Sequence, residues 1–261
     1  MENIENIENK NNENLKNGFC IRKWKDGSKF IGVLKKNKVN GWSKLDNSTL
    51  QIRGEFSDDN LNGYGEVLNK VENKIVTGFW INGVLGGAGF EIGSNYQYFG
   101  YFMNNKKYGY GTQIWEDNSK YIGEWDKDEY NGFGIYIFQN GQIYRGHWKN
   151  NKKCGFGEFV WPNGKKYIGF YKDDKKDGFG FYYFKKGCFW INFWKNGKKH
   201  GLGKLINEND ISYVKFEDNK IINNYMNELE FIDDCEKENL IYIDKLCWNA
   251  EKIRNFMNIK E

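Results

Sequence analysis

A fixed interval between two glycine positions recurs through this chain and limits what it can fold into. Tyr121-Ile122-Gly123-Glu124-Trp125 is followed, after six residues, by Gly132-Phe133-Gly134. The same template, an aromatic or aliphatic residue either side of a glycine and then Gly-x-Gly, fits at Tyr144-Gly146-Trp148 with Gly155-Gly157. It fits again at Tyr167-Gly169-Tyr171 with Gly178-Gly180. Upstream copies are Tyr98-Gly100-Phe102 with Gly109-Gly111, Val76-Gly78-Trp80 with Gly87-Gly89, Ile52-Gly54-Phe56 with Gly63-Gly65, and Phe30-Gly32-Leu34 with Gly41-Ser43. The last clear copy, Trp190-Asn192-Trp194 with Gly201-Gly203, precedes a degenerate one at Tyr213-Val214-Lys215. Of the 31 glycines, only Gly83, Gly86, Gly93 and Gly197 fall outside the repeat positions and a half-repeat at Gly18. Such self-similarity marks an array of supersecondary units that bury their apolar faces against one another.

Five residues before the first glycine position stand Gly27, Asn73, Asn95, Asn118, Gly141, Gly164 and Gly187. Gly and Asn tolerate the positive φ of tight turns, and Asn-Gly and Asp-Gly pairs such as Asp26-Gly27, Asn140-Gly141 and Asn163-Gly164 signal hairpins. Side chains on a strand alternate between faces, so Tyr121, Gly123 and Trp125 share one face, and Gly132, Gly134, Tyr136 and Phe138 share it on the return strand. Bare glycine backbone beside large rings is then a packing code, each ring lying over a neighbour's glycine. The chain has 17 Tyr, 20 Phe and 10 Trp to spend on it, against one Pro.

These copies resemble the MORN (membrane occupation and recognition nexus) repeat, Tyr-x-Gly-x-Trp followed after six residues by Gly-x-Gly. The resemblance covers residues 18–217, and it departs from the pattern at Ser43, at Asn192 and in the worn ninth copy. It implies an all-β fold, an elongated single-layer antiparallel β-sheet of stacked hairpins with a short C-terminal α-helical segment. At two strands per repeat and about 4.8 Å per strand, eight repeats give a ribbon on the order of 75 Å long. Residues 1–17 read as a disordered tail and 218–261 as a helical cap, with Ile243, Leu246, Cys247, Ala250, Ile253 and Met257 at helical spacing. That helix is expected as a lid over the open edge of the last hairpin, or as a partner-contacting element.

The opposite face carries rings as well, among them Phe133, Phe156, Phe170, Phe179, Phe181, Tyr183 and Phe193. Either these rings cover one another or they form a protein-partner surface, a second copy of the chain being one such partner. Lysine pairs recur between the two strands of each unit, at Lys106-Lys107, Lys152-Lys153, Lys175-Lys176 and Lys198-Lys199. If these six-residue stretches are loops stacked along one edge, the row is a candidate site for anionic phospholipid, each Lys contributing about 1 kcal/mol near such a surface. The alternative is ordinary solvation of hairpin tips.

Catalytic, metal and cofactor residues are not expected. His147 and His200 are the only histidines and have no Cys or Ser in register with them, and the glycines lack the context of a phosphate loop. Asp58-Asp59, Asp173-Asp174 and Asp233-Asp234 fit turns or a helix start. A formal charge of +4 is too small to argue for nucleic acid. No run approaches 18 apolar residues and the N-terminal residues lack a signal peptide pattern, so a cytoplasmic protein, cytoskeleton- or membrane-associated, is expected, with its five cysteines as free thiols. The family resemblance implies a non-enzymatic scaffold. A phosphoinositide-binding module is the alternative. A regulatory subunit of an enzyme such as a phosphatidylinositol-phosphate kinase is weaker still, since only a short segment follows the ninth copy.

Overall fold

The computed structural model describes residues 17–207 and 210–237. The chain forms two compact units, Met1–Glu129 and Tyr130–Glu261. The first holds β1 (Gly18–Lys23), β2 (Lys29–Lys35), β3 (Lys38–Asp46), β4 (Leu50–Ser57), β5 (Asn60–Asn69), β6 (Lys74–Ile81), β7 (Val84–Ile92), β8 (Tyr96–Met103), β9 (Lys106–Trp115) and β10 (Lys120–Asp126). The second holds β11 (Glu129–Ile137), β12 (Ile143–Lys149), β13 (Lys152–Val160), β14 (Lys166–Lys172), β15 (Lys175–Lys185), β16 (Cys188–Lys195), β17 (Lys198–Ile206), β18 (Ile211–Glu217), β19 (Lys220–Tyr225) and α1 (Glu228–Lys237). Within each unit every strand pairs antiparallel with the next, from β1 to β10 and from β11 to β19. The fold is all-β, of stacked hairpins, with one short helix. The expected tail at 1–17, apart from Asn17, and the helical pattern from Ile243 to Met257 lie outside the described residues.

The glycines divide into roles that the sequence reading had merged. The first and third positions are floors. Tyr144 and Tyr167 are wholly buried, and a Cβ built on Gly146 or Gly157, or on Gly169 or Gly180, would come within 2.5 Å of the corresponding tyrosine oxygen. The ring thus lies across two glycines on adjacent strands, Gly146 facing Gly157 and Gly169 facing Gly180. The second position is no floor. Gly109, Gly155 and Gly178 have φ of 65, 58 and 103°, and the register slips beside them at Gly100/Tyr101, Gly146/His147 and Gly169/Tyr171. These are β-bulges, which need a residue at ease with positive φ.

The same economy holds the rest of the template together. The Tyr98, Tyr121, Tyr144 and Tyr167 hydroxyls donate to the carbonyls of Tyr101, Glu124, His147 and Phe170, three residues on, at 2.8–3.2 Å. The Trp80, Trp125 and Trp148 indole N–H groups donate to the carbonyls of Gly65, Gly111 and Gly134 on the preceding strand, at 3.2–3.3 Å. Each tyrosine also stands edge-on to a ring of its own repeat and to one of the next. Tyr98 does so with Phe102 and Trp125, Tyr144 with Trp148 and Tyr171, and Tyr167 with Tyr171 and Trp194, at centroid distances of 5.1–5.5 Å.

Both turn types are visible in the backbone. Gly27, Asn73, Asn118, Gly141, Gly164 and Gly187 have positive φ, as their register predicts, whereas Asn95 does not: its turn closes through the Gly93 N–H on the Tyr96 carbonyl. The stretch between the two strands of a unit is not a six-residue loop. It is a two-residue turn with both residues left-handed, as at Asn104-Asn105, Lys127-Asp128, Asn150-Asn151, Asp173-Asp174 and Asp218-Asn219. This is the type I′ geometry that matches strand twist. The second turn residue then clasps the previous hairpin: Asn105, Asp128, Asn151, Asp174 and Asn219 accept the amides of Leu85, Lys107, Tyr130, Lys153 and Lys199.

In the second unit α1 packs on β18 and β19, and its buried side chains lie on the second face. Asn227 caps it by accepting the Glu230 amide, while the Glu230 carboxylate reaches back to the Met226 amide. Phe231 and Cys235, one turn apart, enter a cluster of Phe179, Phe181, Phe189, Ile191, Leu202 and Ile206. Phe231 also meets the rings of Tyr213 and Tyr225.

Two stability experiments follow from this packing. Gly157→Ala drives a methyl into the Tyr144 ring and costs about 2–4 kcal/mol in urea unfolding, as overpacking does. Gly164→Ala, whose added carbon meets nothing, pays only the left-handed backbone penalty of about 1–2 kcal/mol; equal losses for the two contradict the glycine-floor assignment. Phe231→Ala costs about 3–5 kcal/mol at the C-terminal hairpins, read as lost amide protection in β18 and β19 while β11–β13 keep theirs.

Candidate functional site

Because a strand starts immediately after each two-residue turn, the two members of every lysine pair point to opposite faces. Lys106, Lys152, Lys175 and Lys198 are exposed. Two of them face aspartates, Lys106 with Asp128 at 4.0 Å and Lys198 with Asp218 at 3.1 Å. Their partners Lys107, Lys153, Lys176 and Lys199 turn to the tyrosine face and set their ammonium groups over aromatic rings. The sequence reading of eight ammonium groups along one edge therefore separates into four outward and four inward groups.

The inward lysines have distinct surroundings. Lys107 is buried, 3.3 Å from the Glu91 carboxylate and 2.7 Å from Gln113 Oε1, over the rings of Tyr96, Tyr98 and Trp125. Lys153 stands over Phe138, Tyr144 and Phe159 with Asp174 at 3.9 Å. Lys176 sits among Trp161, Tyr167, Tyr182 and Trp194, at 4.4–5.2 Å from their centroids, and Lys199 over Trp190 at 3.6 Å and Phe216 at 5.0 Å. Burial pushes Lys176 and Lys199 down to about 8, and for Lys176 the neighbouring Lys199 charge adds to it. For Lys107 and Lys153 burial also lowers the pKa, but facing carboxylates oppose it. A cation over a π face is attracted by the ring quadrupole, more strongly as it is desolvated.

The second face carries aromatic rungs between registered strands. Phe133 opposes His147, Phe156 opposes Phe170 and Phe179 opposes Phe193, with centroids 5.9, 5.5 and 5.4 Å apart. Their exposure differs sharply: Phe133 and Phe156 are each 43% exposed, whereas Phe179 and Phe181 are 4% and 2% exposed. Phe170, Tyr183 and Phe193 are half-buried against the cluster that α1 covers. The seven candidate rings thus divide into a covered set and an open pair.

Sequence reasoning overlooked the same face in the first unit, where Trp42, Tyr64 and Phe79 are 61%, 50% and 60% exposed. Their signal was in register: Trp42 and Tyr64 stand between the second and third glycine positions, as Phe133 and Phe156 do, and Phe79 follows a first glycine as Phe170 does. The polar neighbours Arg53, Glu55 and Thr77 hid it, and Arg53 is itself occupied by Glu66 at 2.9 Å.

Among the described residues no group of three His, Cys, Asp or Glu side chains could hold a metal ion, and no helix is long and apolar enough to cross a membrane. His147 sits beside Phe133 with Nδ1 3.2 Å from the Phe156 carbonyl, and His200 lies 3.9 Å from Asp218. Asp58-Asp59 and Asp173-Asp174 form turns, while Asp234 accepts the Tyr225 hydroxyl and lies 3.9 Å from Lys215.

Among solved structures, the chain is similar to the SAS-4 (dCPAP) TCP domain of Drosophila melanogaster, solved in complex with a proline-rich motif of Ana2 (dSTIL). The identity is 14% and the TM-score 0.36, over 67% of this chain and 90% of that one. It is also similar to the G-box domain of the microcephaly protein CPAP, at 10% identity and a TM-score of 0.35 over 81% of this chain and 100% of that one. A mutant TCP10 domain of Danio rerio CPAP matches at 9% identity and a TM-score of 0.27, over 80% and 88%. No curated protein matches. The MORN repeat profile matches residues 12–29, 53–66, 98–120, 121–143, 144–166, 167–189 and 193–209, together more than half of the chain. With its eight template copies and their glycine-floored hairpins, the chain belongs to the MORN repeat family.

Proposed function

We propose that this chain is a non-enzymatic scaffold that binds a protein partner on its second face, at a cytoskeletal or membrane-associated structure. The observation that carries the reading is α1. On β18 and β19 the protein packs one of its own helices on this face, and Phe231 and Cys235 join the buried cluster there, Phe231 against the rings of Tyr213 and Tyr225. The same register on β11 and β13 leaves Phe133 and Phe156 open, and in the first unit Trp42, Tyr64 and Phe79. A face of this kind accepts an amphipathic segment with an aromatic anchor. Large exposed rings that cluster, unlike scattered ones, mark such surfaces.

Anionic phospholipid is the second reading, favoured by the outward lysines. It keeps Lys106, Lys152, Lys175 and Lys198, two of them already facing aspartates, so its electrostatic attraction is about half of what eight lysines would supply. The protein reading ranks above it, and self-association is one form of the protein reading.

Proximity labelling in the native cell, with the wild type and a Phe133→Ser/Phe156→Ser variant, tests the proposal. The variant changes exposed rings, so its thermal midpoint stays close to the wild type while specific labelling of cytoskeletal or cortical proteins is lost. An unchanged labelling pattern contradicts the assignment. Light scattering on the same pair detects self-association, and vesicle co-sedimentation that survives the Phe substitutions but not Lys→Glu changes at 106, 152, 175 and 198 assigns the lipid reading instead.

A further inference from the structure

Two of the four inward lysines, Lys107 and Lys153, face carboxylates of the protein itself, and among the described residues the last two do not. Each turn's second residue lies beside the inward position of the hairpin before it, as the amide contacts show. At Lys153 the turn supplies the facing acid, Asp174 at 3.9 Å; at Lys107 the ammonium is met by Glu91 of β7, and the turn's Asp128 accepts the Lys107 amide and lies 4.0 Å from the outward Lys106. Beside apolar or neutral inward residues the turn residue varies, Asn105 at Leu85 and Asn151 at Tyr130 but Asp59 at Val39. At Lys176 the turn residue is Gly197, whose amide bonds the Lys176 carbonyl with no side chain to add, and at Lys199 it is Asn219. Neither Lys176 nor Lys199 has an ion-pair partner among the described residues.

We infer that Lys176 and Lys199, on the tyrosine face of the second unit, form an anion-accepting site for the carboxylate side chains of an acidic protein segment. Three observations support it. Both ammonium groups are held in place by ring walls, so little side-chain entropy is lost when an anion arrives. Both side chains are only half-buried, so an incoming group reaches them. Beside the site the Trp194 indole N–H and Asn192 Oδ1 have no hydrogen-bond partner among the described residues, although the Trp80, Trp125 and Trp148 indoles each donate to a glycine carbonyl. Burial lowers the pKa of both lysines, and at Lys176 the neighbouring Lys199 charge adds to it.

The protein itself shows what ligand fits. At Lys153 the ammonium is faced by the Asp174 carboxylate from the turn of the next hairpin, and at Lys107 by the Glu91 carboxylate of β7. A carboxylate on a partner's peptide reproduces that arrangement. A flat bilayer does not, because the ammonium groups are recessed among rings while Lys175 and Lys198 point outward.

Titration of the full chain with a hexaglutamate peptide, followed by tryptophan fluorescence and calorimetry, tests this. Inorganic phosphate and phosphatidylserine vesicles form the parallel arms. The wild type binds the peptide saturably, and Lys176→Met/Lys199→Met weakens binding about tenfold, the scale of one lost charged contact. Asn219→Asp and Gly197→Asp retain both lysines but supply the missing internal carboxylate, and they weaken peptide binding to a similar degree. Aspartate already occupies this left-handed position at Asp128 and Asp174, with φ of 73 and 66°, and Asn219 has φ 73°, so Asn219→Asp folds normally. The Phe133→Ser/Phe156→Ser variant keeps the peptide affinity, which separates this site from the second face. Peptide affinity unchanged by the lysine or the Asn219→Asp substitution overturns the inference, as does tighter binding of phosphate or vesicles than of peptide.

Discussion

The central repeats depend on a tyrosine ring laid across two glycines of adjacent strands, a place that Leu61 and Leu85 take in earlier copies. The contact requires bare backbone on both strands, which fixes the first and third glycine positions, and it requires the ring to reach its own carbonyl three residues on. A single layer of strands has no second sheet to pack against. It replaces that partner with a layer of rings, each wedged edge-on between a ring of its own repeat and one of the next. Stability then accrues between neighbours, as in other repeat arrays.

The tyrosine rings pack on one face, while the other holds a buried cluster in its C-terminal part and open rings elsewhere. Along the second unit it passes from covered to open: Phe179 and Phe181 are buried in the cluster that Phe231 and Cys235 of α1 join, while Phe156 and Phe133 remain accessible. Polar groups join in covering the C-terminal part, with Lys204 facing Glu228 and Lys215 facing Asp234 of the helix. The tyrosine face has its own electrostatic gradient, from lysines with built-in carboxylates to lysines without them. Repetition of the backbone allows such gradients, because each unit can change its side chains without altering the hairpin.

Much of the fold was legible because glycine leaves an unambiguous trace. A strand glycine that meets a tyrosine cannot be replaced, and eight copies with one spacing disclose the hairpin, the stacking and the two faces. The lysine pairs were misread for a physical reason. Asn104-Asn105 and Asp173-Asp174 form type I′ turns by themselves, so the strand resumes at the lysines and sends one of each pair inward; without that turn the six residues pass for a loop. The second glycine was taken for a floor because its bulge shifts the register, which a strict alternation of faces does not anticipate. Trp42 and Tyr64 were overlooked because polar residues such as Arg53 and Glu55 stand on the strand beside them, and the burial of Phe179 and Phe181 belongs to a cluster that α1 joins, which no repeat encodes.

The most direct test is a double-mutant cycle on the ring contacts between neighbouring repeats. Tyr167→Leu and Trp194→Leu remove rings 5.5 Å apart, and the account predicts a coupling of about 0.5–1.5 kcal/mol in unfolding free energy. Tyr144→Leu and Trp194→Leu, which belong to repeats separated by another, are predicted to be additive. Additivity in the first pair, or equal coupling in both, would contradict a fold held together by rings on glycine floors between adjacent repeats.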